Sequence, residues 1–219
     1  MSDKIASPSR RRIVQAGAAA GAFGVPTLLR AQAKALKIGL VYPMTGFAAY
    51  SGGQQRIGAM LAIDEVNAAG AIKSLGGTKL EAVLGDSQSK PDVGVSVVEK
   101  LHEDGVTAYI GTMISSIALP ATQAAAKYNT PFMIDVAVSD NIVNRGLKNV
   151  FRLAPGYNKC VEDAVVALES VNKTAGSPVK SAVLVHEESE FGTGTAKLLG
   201  TRLPGIGIEV KEVMKHANM

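Results

Sequence analysis

Between residues 36 and 216, short apolar runs alternate with longer stretches whose apolar positions recur at helical spacing. Residues 36–42 (LKIGLVY) read as a strand, and residues 44–53 (MTGFAAYSGG) as the glycine-rich loop that follows it. From Gln54 to Ala69, the apolar positions Ile57, Met60, Leu61 and Val66 fit one face of a helix, with Gly70 placed to end it. Residues 79–85 give a second strand, and Pro91, just after Ser89-Lys90, opens a helix to about residue 103. The rhythm then repeats: a strand at 107–110, a helix introduced by Ser115-Ser116 and running to about Lys127, and a strand at 131–135. Residues 149–153 read as extended, and a helix follows from about Asn158 to Val171. A strand at 181–186, a helix from about Thr193 to Arg202 and a last strand at 208–213 complete the pattern.

Strands alternating with helices of ten or so residues predict an α/β fold, its sheet parallel and flanked by helices on both faces. Such sheets place ligands outside the carboxyl ends of their strands. The loops that end there are 43–53, 86–90, 111–116, 135–141 and 187–193. The chain is expected to pass from one lobe to another between Asp140 and Leu153, because the stretch from Asn141 to Lys148 is polar and contains glycine.

Composition narrows the choice. Hydrophobic residues make up 47% and charged residues 19%, enough apolar material for a core. Aromatics are 5% and tryptophan is absent, so that core rests on Ala, Val, Ile and Leu. The net charge of +4 is misleading about the body of the chain. Five of the 23 basic residues and one of the 19 acidic residues lie within positions 1–33, which leaves 18 of each beyond them. A neutral body has no broad basic face for a phosphate backbone, so nucleic acid is not expected as a partner. Cys160 is the single cysteine, which rules out an intrachain disulfide and reads as a small apolar residue near a helix start.

The basic residues that remain mark an export signal. Arginines at 10–12 precede the charge-poor stretch 16–29, and Ala31-Gln32-Ala33 supplies the small-x-small pattern of a cleavage site before Lys34. The apolar stretch is shorter than the ~18–20 residues a stable membrane span needs. Ser9-Arg10-Arg11-Arg12-Ile13-Val14 resembles the twin-arginine signal, and its mild hydrophobicity suits that route; an ordinary Sec leader is the other reading. Either route takes the body of the chain out of the cytoplasm.

No catalytic constellation emerges from the residues. His102, His186 and His216 stand at no metal-ligand spacing, and the acidic run after His186 reads as a solvated strand end. There is no nucleophile elbow, and Lys197 replaces the third glycine that Gly192-Thr193-Gly194 would need for a dinucleotide fingerprint. Catalytic, metal and cofactor sites are therefore not predicted. Ser115-Ser116 is more informative. One serine at a helix start serves as a cap, whereas two hydroxyls beside free helix N–H groups suit a ligand carboxylate. Ala137-Val138-Ser139 ends the neighbouring strand and is expected to face the same crevice.

Six segments in this order and spacing carry a family resemblance: residues 37–72, Lys90-Pro91, IGTMISS (110–116), FMIDVAVSD (132–140), VFRLAP (150–155) and ESEFGTGTA (188–196). The chain resembles the periplasmic solute-binding proteins of branched-chain amino acid ABC transporters, the leucine/isoleucine/valine-binding type. The resemblance implies a type I periplasmic-binding-protein fold, in which two α/β lobes close over a small solute. It divides the chain into a signal peptide at 1–33, a first lobe at 34–153 and the start of a second lobe at 154–219. It implies no covalent chemistry and no cofactor. An amino acid or related small carboxylate or amide is the expected solute, an inner-membrane ABC permease the expected partner, and the periplasm the expected location. A periplasmic ligand sensor with the same fold is the alternative.

Position by position, the resemblance implies that Ser115, with Ser116 behind it, meets the solute's carboxylate. Ala137 and Ser139 fall where the α-ammonium and carboxylate are held, Tyr50 where an aromatic ring packs on the solute, and Phe191 where a tyrosine is usual. The disulfide of some relatives has no counterpart, because Ser89 and Ile114 occupy its positions. Members of the family run well beyond this length, with an acidic group for the ammonium further along. The second lobe is thus expected to be incomplete, the strand faces at 181–186 and 208–213 partly uncovered, and solute affinity low.

Overall fold

The computed structural model describes residues 34–217. The predicted signal peptide, with its cleavage position and export route, lies outside the described residues. Two parallel sheets organise the chain. The first has five strands in the order β2-β1-β3-β4-β5: β1 (Leu36–Tyr42), β2 (Leu80–Asp86), β3 (Ala108–Gly111), β4 (Phe132–Ile134) and β5 (Val150–Arg152). The second pairs β6 (Ser181–Glu187) with β7 (Glu209–His216). Five helices connect them: α1 (Ala49–Ala68), α2 (Pro91–Glu103), α3 (Ser115–Lys127), α4 (Tyr157–Thr174) and α5 (Glu190–Arg202).

Each face of the first sheet is set by in-register rows of side chains, because parallel partners point the same way. Gly39, Tyr109, Phe132 and Val150 form one such row. With Val41 and Ile134 they pack against Val98 and Leu101 of α2 and Ala118, Ala121 and Ala125 of α3. This is the main core: aliphatic and small residues packed around Tyr109 and Phe132, so two of the few aromatics sit at its centre. The opposite row runs Leu84, Leu40, Ile110, Met133, Phe151. Among the described residues, α1 covers that face, through Ile63 and Ala59 against Leu40 and Tyr42. Cover therefore thins toward both ends of the row: Leu84 is 42% exposed, and Met133 and Phe151 are 41% and 50% exposed. In the second sheet, Val161 and Val165 of α4 pack with Leu203 and Ile208 and the inner side of β6 and β7. Val183, Val185 and Met214 on its other side are exposed.

Two elements differ from the sequence reading. α1 begins at Ala49 rather than Gln54, so Tyr50 and the glycines after it are helical. Gly52 makes this possible: it is buried against the carbonyl of Pro43, where a Cβ would not fit. Within α1, the apolar positions that marked the helix, Ile57, Met60, Leu61 and Val66, are exposed, and Ile63 is the residue that packs. α5 likewise begins three residues early, at Glu190, because the Ser189 hydroxyl accepts from the N–H groups of Phe191 and Gly192 and caps it.

Candidate functional site

The carboxyl ends of β1, β3, β4 and β6 open onto one cleft of about 330 Å³. Every residue lining it comes from a loop that the topology had singled out. Phe47 follows β1; Met113, Ile114 and Ser115 follow β3; Val136 and Val138 follow β4; Glu187, Ser189 and Phe191 lie where β6 passes into α5. The cleft is small and mainly apolar, with a few polar groups at its margin, as solute pockets are.

Ser115 is buried at the start of α3, yet it does not cap that helix. The N-cap position belongs to Ile114, which makes no side-chain capping bond. The Ser115 Oγ accepts instead from the N–H of Ser139 at 3.3 Å, tying the β3 and β4 loops together. Ser139 is fully buried, and its hydroxyl donates to Oε1 of Glu190 at 2.8 Å. Ala137 lies in the same segment, but its N–H donates to the carbonyl of Thr112 at 3.2 Å and is thus already engaged. Ser116 is half-buried on the first turn of α3 and is not part of the cleft wall. Tyr50 is 82% exposed on the first turn of α1, and the aromatic ring at that side of the cleft is Phe47. Phe191 lines the cleft from α5.

Three supports hold this arrangement. Arg152, at the end of β5, donates to the carbonyls of Val138 (3.1 Å) and Ser139 (2.7 Å) and to Asp140 Oδ1 (2.8 Å). The other oxygen of Asp140 accepts from the N–H of Asn158 in α4 at 2.9 Å, so one ion pair fixes the β4 loop to the start of that helix. Asp86 does the same for the loop carrying Phe47. It accepts from the N–H groups of Met44 and Thr45, the Thr45 hydroxyl and the N–H of Gln88. Burial alone would raise its pKa, but the Thr45 hydroxyl and these amides outweigh burial and hold it below the ordinary carboxylate value. Glu187 is anchored by the N–H and hydroxyl of Ser189.

Sequence reasoning missed Phe47, Val136, Glu187 and Arg152, and named Val138 only within Ala137-Val138-Ser139. Phe47, Val136 and Val138 lie in loops that the topology had marked, but nothing distinguished them from their neighbours, and nothing in the local sequence marks Arg152 as reaching the β4 loop. His186, near the end of β6, has a local role: its Nδ1 lies 2.8 Å from the carbonyl of Glu187. Cys160 is exposed on α4 rather than packed. Among the described residues there is no cluster of metal-ligating side chains, and no helix is long and apolar enough to cross a membrane.

The sequence profile of the periplasmic binding protein family matches residues 35–218. The chain belongs to that family. Among curated relatives, it is 31% identical to the Leu/Ile/Val-binding protein BraC3 of Rhizobium johnstonii over 173 residues, covering 79% of this chain and 45% of the relative. The chain thus spans about half the length of the curated relatives it matches. Solved structures share its fold at lower identity. A solute binding protein of an ABC transporter from R. palustris, in complex with benzoate, superposes with a TM-score of 0.72 at 24% identity, over 84% of this chain and 48% of that one. A branched-chain amino acid transporter substrate binding protein of Streptococcus pneumoniae, in complex with isoleucine, gives 0.68 at 24% identity, over 84% and 50%. These relatives and neighbours are solute-binding proteins, and the two parallel sheets with flanking helices are the type I periplasmic-binding-protein fold.

Proposed function

We propose that this chain is the extracytoplasmic solute-binding component of an ABC uptake system, and that the cleft holds an amino acid or a related small carboxylate or amide. One observation carries the reading: Ser115 lines an apolar cleft to which both sheets contribute, and its hydroxyl is held from behind by the N–H of the fully buried Ser139. On this reading residues 34–153 form one lobe and 154–219 belong to the other, with the cleft between them. The N–H groups of Ser115 and Ser116 at the start of α3 offer the positive pole for a solute carboxylate beside Ser115, those of Ile117 and Ala118 being bonded to the carbonyl of Ile114. Phe47, Val136, Val138 and Phe191 supply an apolar wall for its side chain. The role is capture and delivery to an inner-membrane permease after export by way of residues 1–33. The names of the relatives support an aliphatic amino acid; the benzoate-bound neighbour keeps aromatic acids in view.

The test is a thermal-shift and calorimetric screen against amino acids, amides and small organic acids, with Ser115→Ala and Ser139→Ala alongside. The reading predicts a stabilising solute whose affinity falls about tenfold in each variant, the loss of one or two hydrogen bonds. A stabilising solute bound equally well by both variants contradicts the site.

A further inference from the structure

Four consecutive residues of the β4 loop, Val138 to Asn141, bond to the chain beyond residue 153, and they do so at two places. The first is beside the crossover. There the carbonyl of Val138 accepts from the N–H of Tyr157 at 2.8 Å, and Asp140 accepts from the N–H of Asn158 at 2.9 Å. Both donors open α4, where the chain has just left β5, so these bonds close a short loop and stay with the crossover. The second place is remote in sequence. Oε1 of Glu190, the first residue of α5, accepts from the Ser139 hydroxyl at 2.8 Å and from Asn141 Nδ2 at 2.7 Å, across 51 and 49 positions of chain.

Neither Ser139 nor Glu190 lines the cleft, yet their contact joins its two walls. The Ser139 N–H holds the Ser115 hydroxyl on one wall, and Phe191, the residue after Glu190, belongs to the other. Arg152 fixes the donor side. Its bonds to the carbonyls of Val138 and Ser139 and to Asp140 pin the backbone that carries both donors, so that backbone cannot follow an acceptor that moves away. On the acceptor side, a carboxylate in the first turn of α5 is favoured by the N–H groups of that turn. Two donors on one carboxylate are stronger than two neutral bonds. The Asn141 bond is exposed, so water replaces it when the walls part.

We infer that Glu190 is a latch between the lobes: its carboxylate holds the α5 wall of the cleft against the β4 loop, and the first turn of α4 is the pivot about which the walls part. The inference rests on the two-lobe reading above and concerns closure, not the chemistry of the solute. Glutamine at this position keeps an acceptor oxygen for both donors, whereas alanine keeps none.

The experiment is a distance measurement by pulsed electron paramagnetic resonance on the whole chain. Nitroxides are carried on α1 and α5 at Tyr50→Cys and Lys197→Cys, both exposed positions, and the exposed Cys160 is replaced by serine. With Glu190 intact, one short distance dominates. Glu190→Ala raises the ratio of long to short distances about tenfold, Asn141→Ala raises it about threefold, and Glu190→Gln restores most of the parent distribution. Circular dichroism reads the helix content of each variant; if Glu190→Ala loses helix, the shift in Asn141→Ala and the rescue by Glu190→Gln carry the test. Two distances whose ratio none of these variants changes overturn the latch and leave the two lobes standing. A single distance, the same in every variant, means that the lobes do not part, and the latch and the two-lobe reading both fall.

Discussion

The hydroxyl of Tyr42, the last residue of β1, donates a 2.7 Å hydrogen bond to Oδ2 of Asp135, which follows β4. β3 lies between those strands, and the ring passes the end of it at Gly111. Gly111 has a φ of +129°, and a Cβ there would run into the carbonyl of Val41, so a larger residue could not occupy this strand end. The other Asp135 oxygen is buried without a partner. Burial dominates its titration and raises its pKa, although the Tyr42 bond and its backbone contacts pull the other way. The Tyr42 phenol is likewise raised, by burial first and then by the Asp135 charge.

A pH dependence follows. A carboxyl whose folded pKa lies above its unfolded value contributes stability that is complete below the unfolded pKa and is lost as pH rises through the folded pKa. Asp135→Asn removes that loss while keeping an acceptor for Tyr42. The variant is expected to have a higher Tm than the wild type at neutral pH, with the gap closing as pH falls below about 4. Tyr42→Phe has the opposite effect, leaving both carboxylate oxygens unpaired at a cost of about 1–3 kcal/mol in denaturant unfolding.

Arg152→Ala removes three hydrogen bonds from the loop that carries Ser139 and a fourth to Ala154, and it leaves Asp140 without its nearly buried partner. Breaking such a pair from one side costs about 3 kcal/mol. Urea unfolding should show that loss, and solute affinity should fall with it because Val138 and Ser139 lose their support.

Asp86→Ala frees the segment from Met44 to Phe47. Four hydrogen bonds to one carboxylate vanish, and a loss of about 2 kcal/mol is expected. Its depressed pKa gives the pH signature: the wild-type advantage is present above the unfolded pKa and disappears as pH falls through the folded one. Unfolding of both proteins across an acid series checks it.

The order of strands and helices was legible in the sequence because apolar period and turn residues carry it. The loops that form the cleft were legible too, since topology fixes which strand ends share a crevice. The individual lining residues were less so. Tyr50 fails to reach the cleft because Gly52 can press against Pro43, which pulls the start of α1 back by five residues and leaves Phe47 in the loop. The apolar stripe of α1 located the helix but not its cover. A helical period shows that one face is apolar, not that something in this chain covers it.

That uncovered side has a consequence of its own. Met133 and Phe151 extend the apolar row past the reach of α1, and Val183 and Val185 do the same on the second sheet. Exposed apolar sheet faces favour association. Phe151→Lys and Val185→Lys are expected to reduce concentration-dependent association in light scattering while changing unfolding free energy by no more than about 0.5 kcal/mol.

The most direct check of the central claim is a crystal structure of the chain grown with a solute selected by the screen. The account predicts that solute against Ser115, its apolar part on Phe47, Val138 and Phe191. A solute seated elsewhere, with that cleft filled only by water, would contradict it.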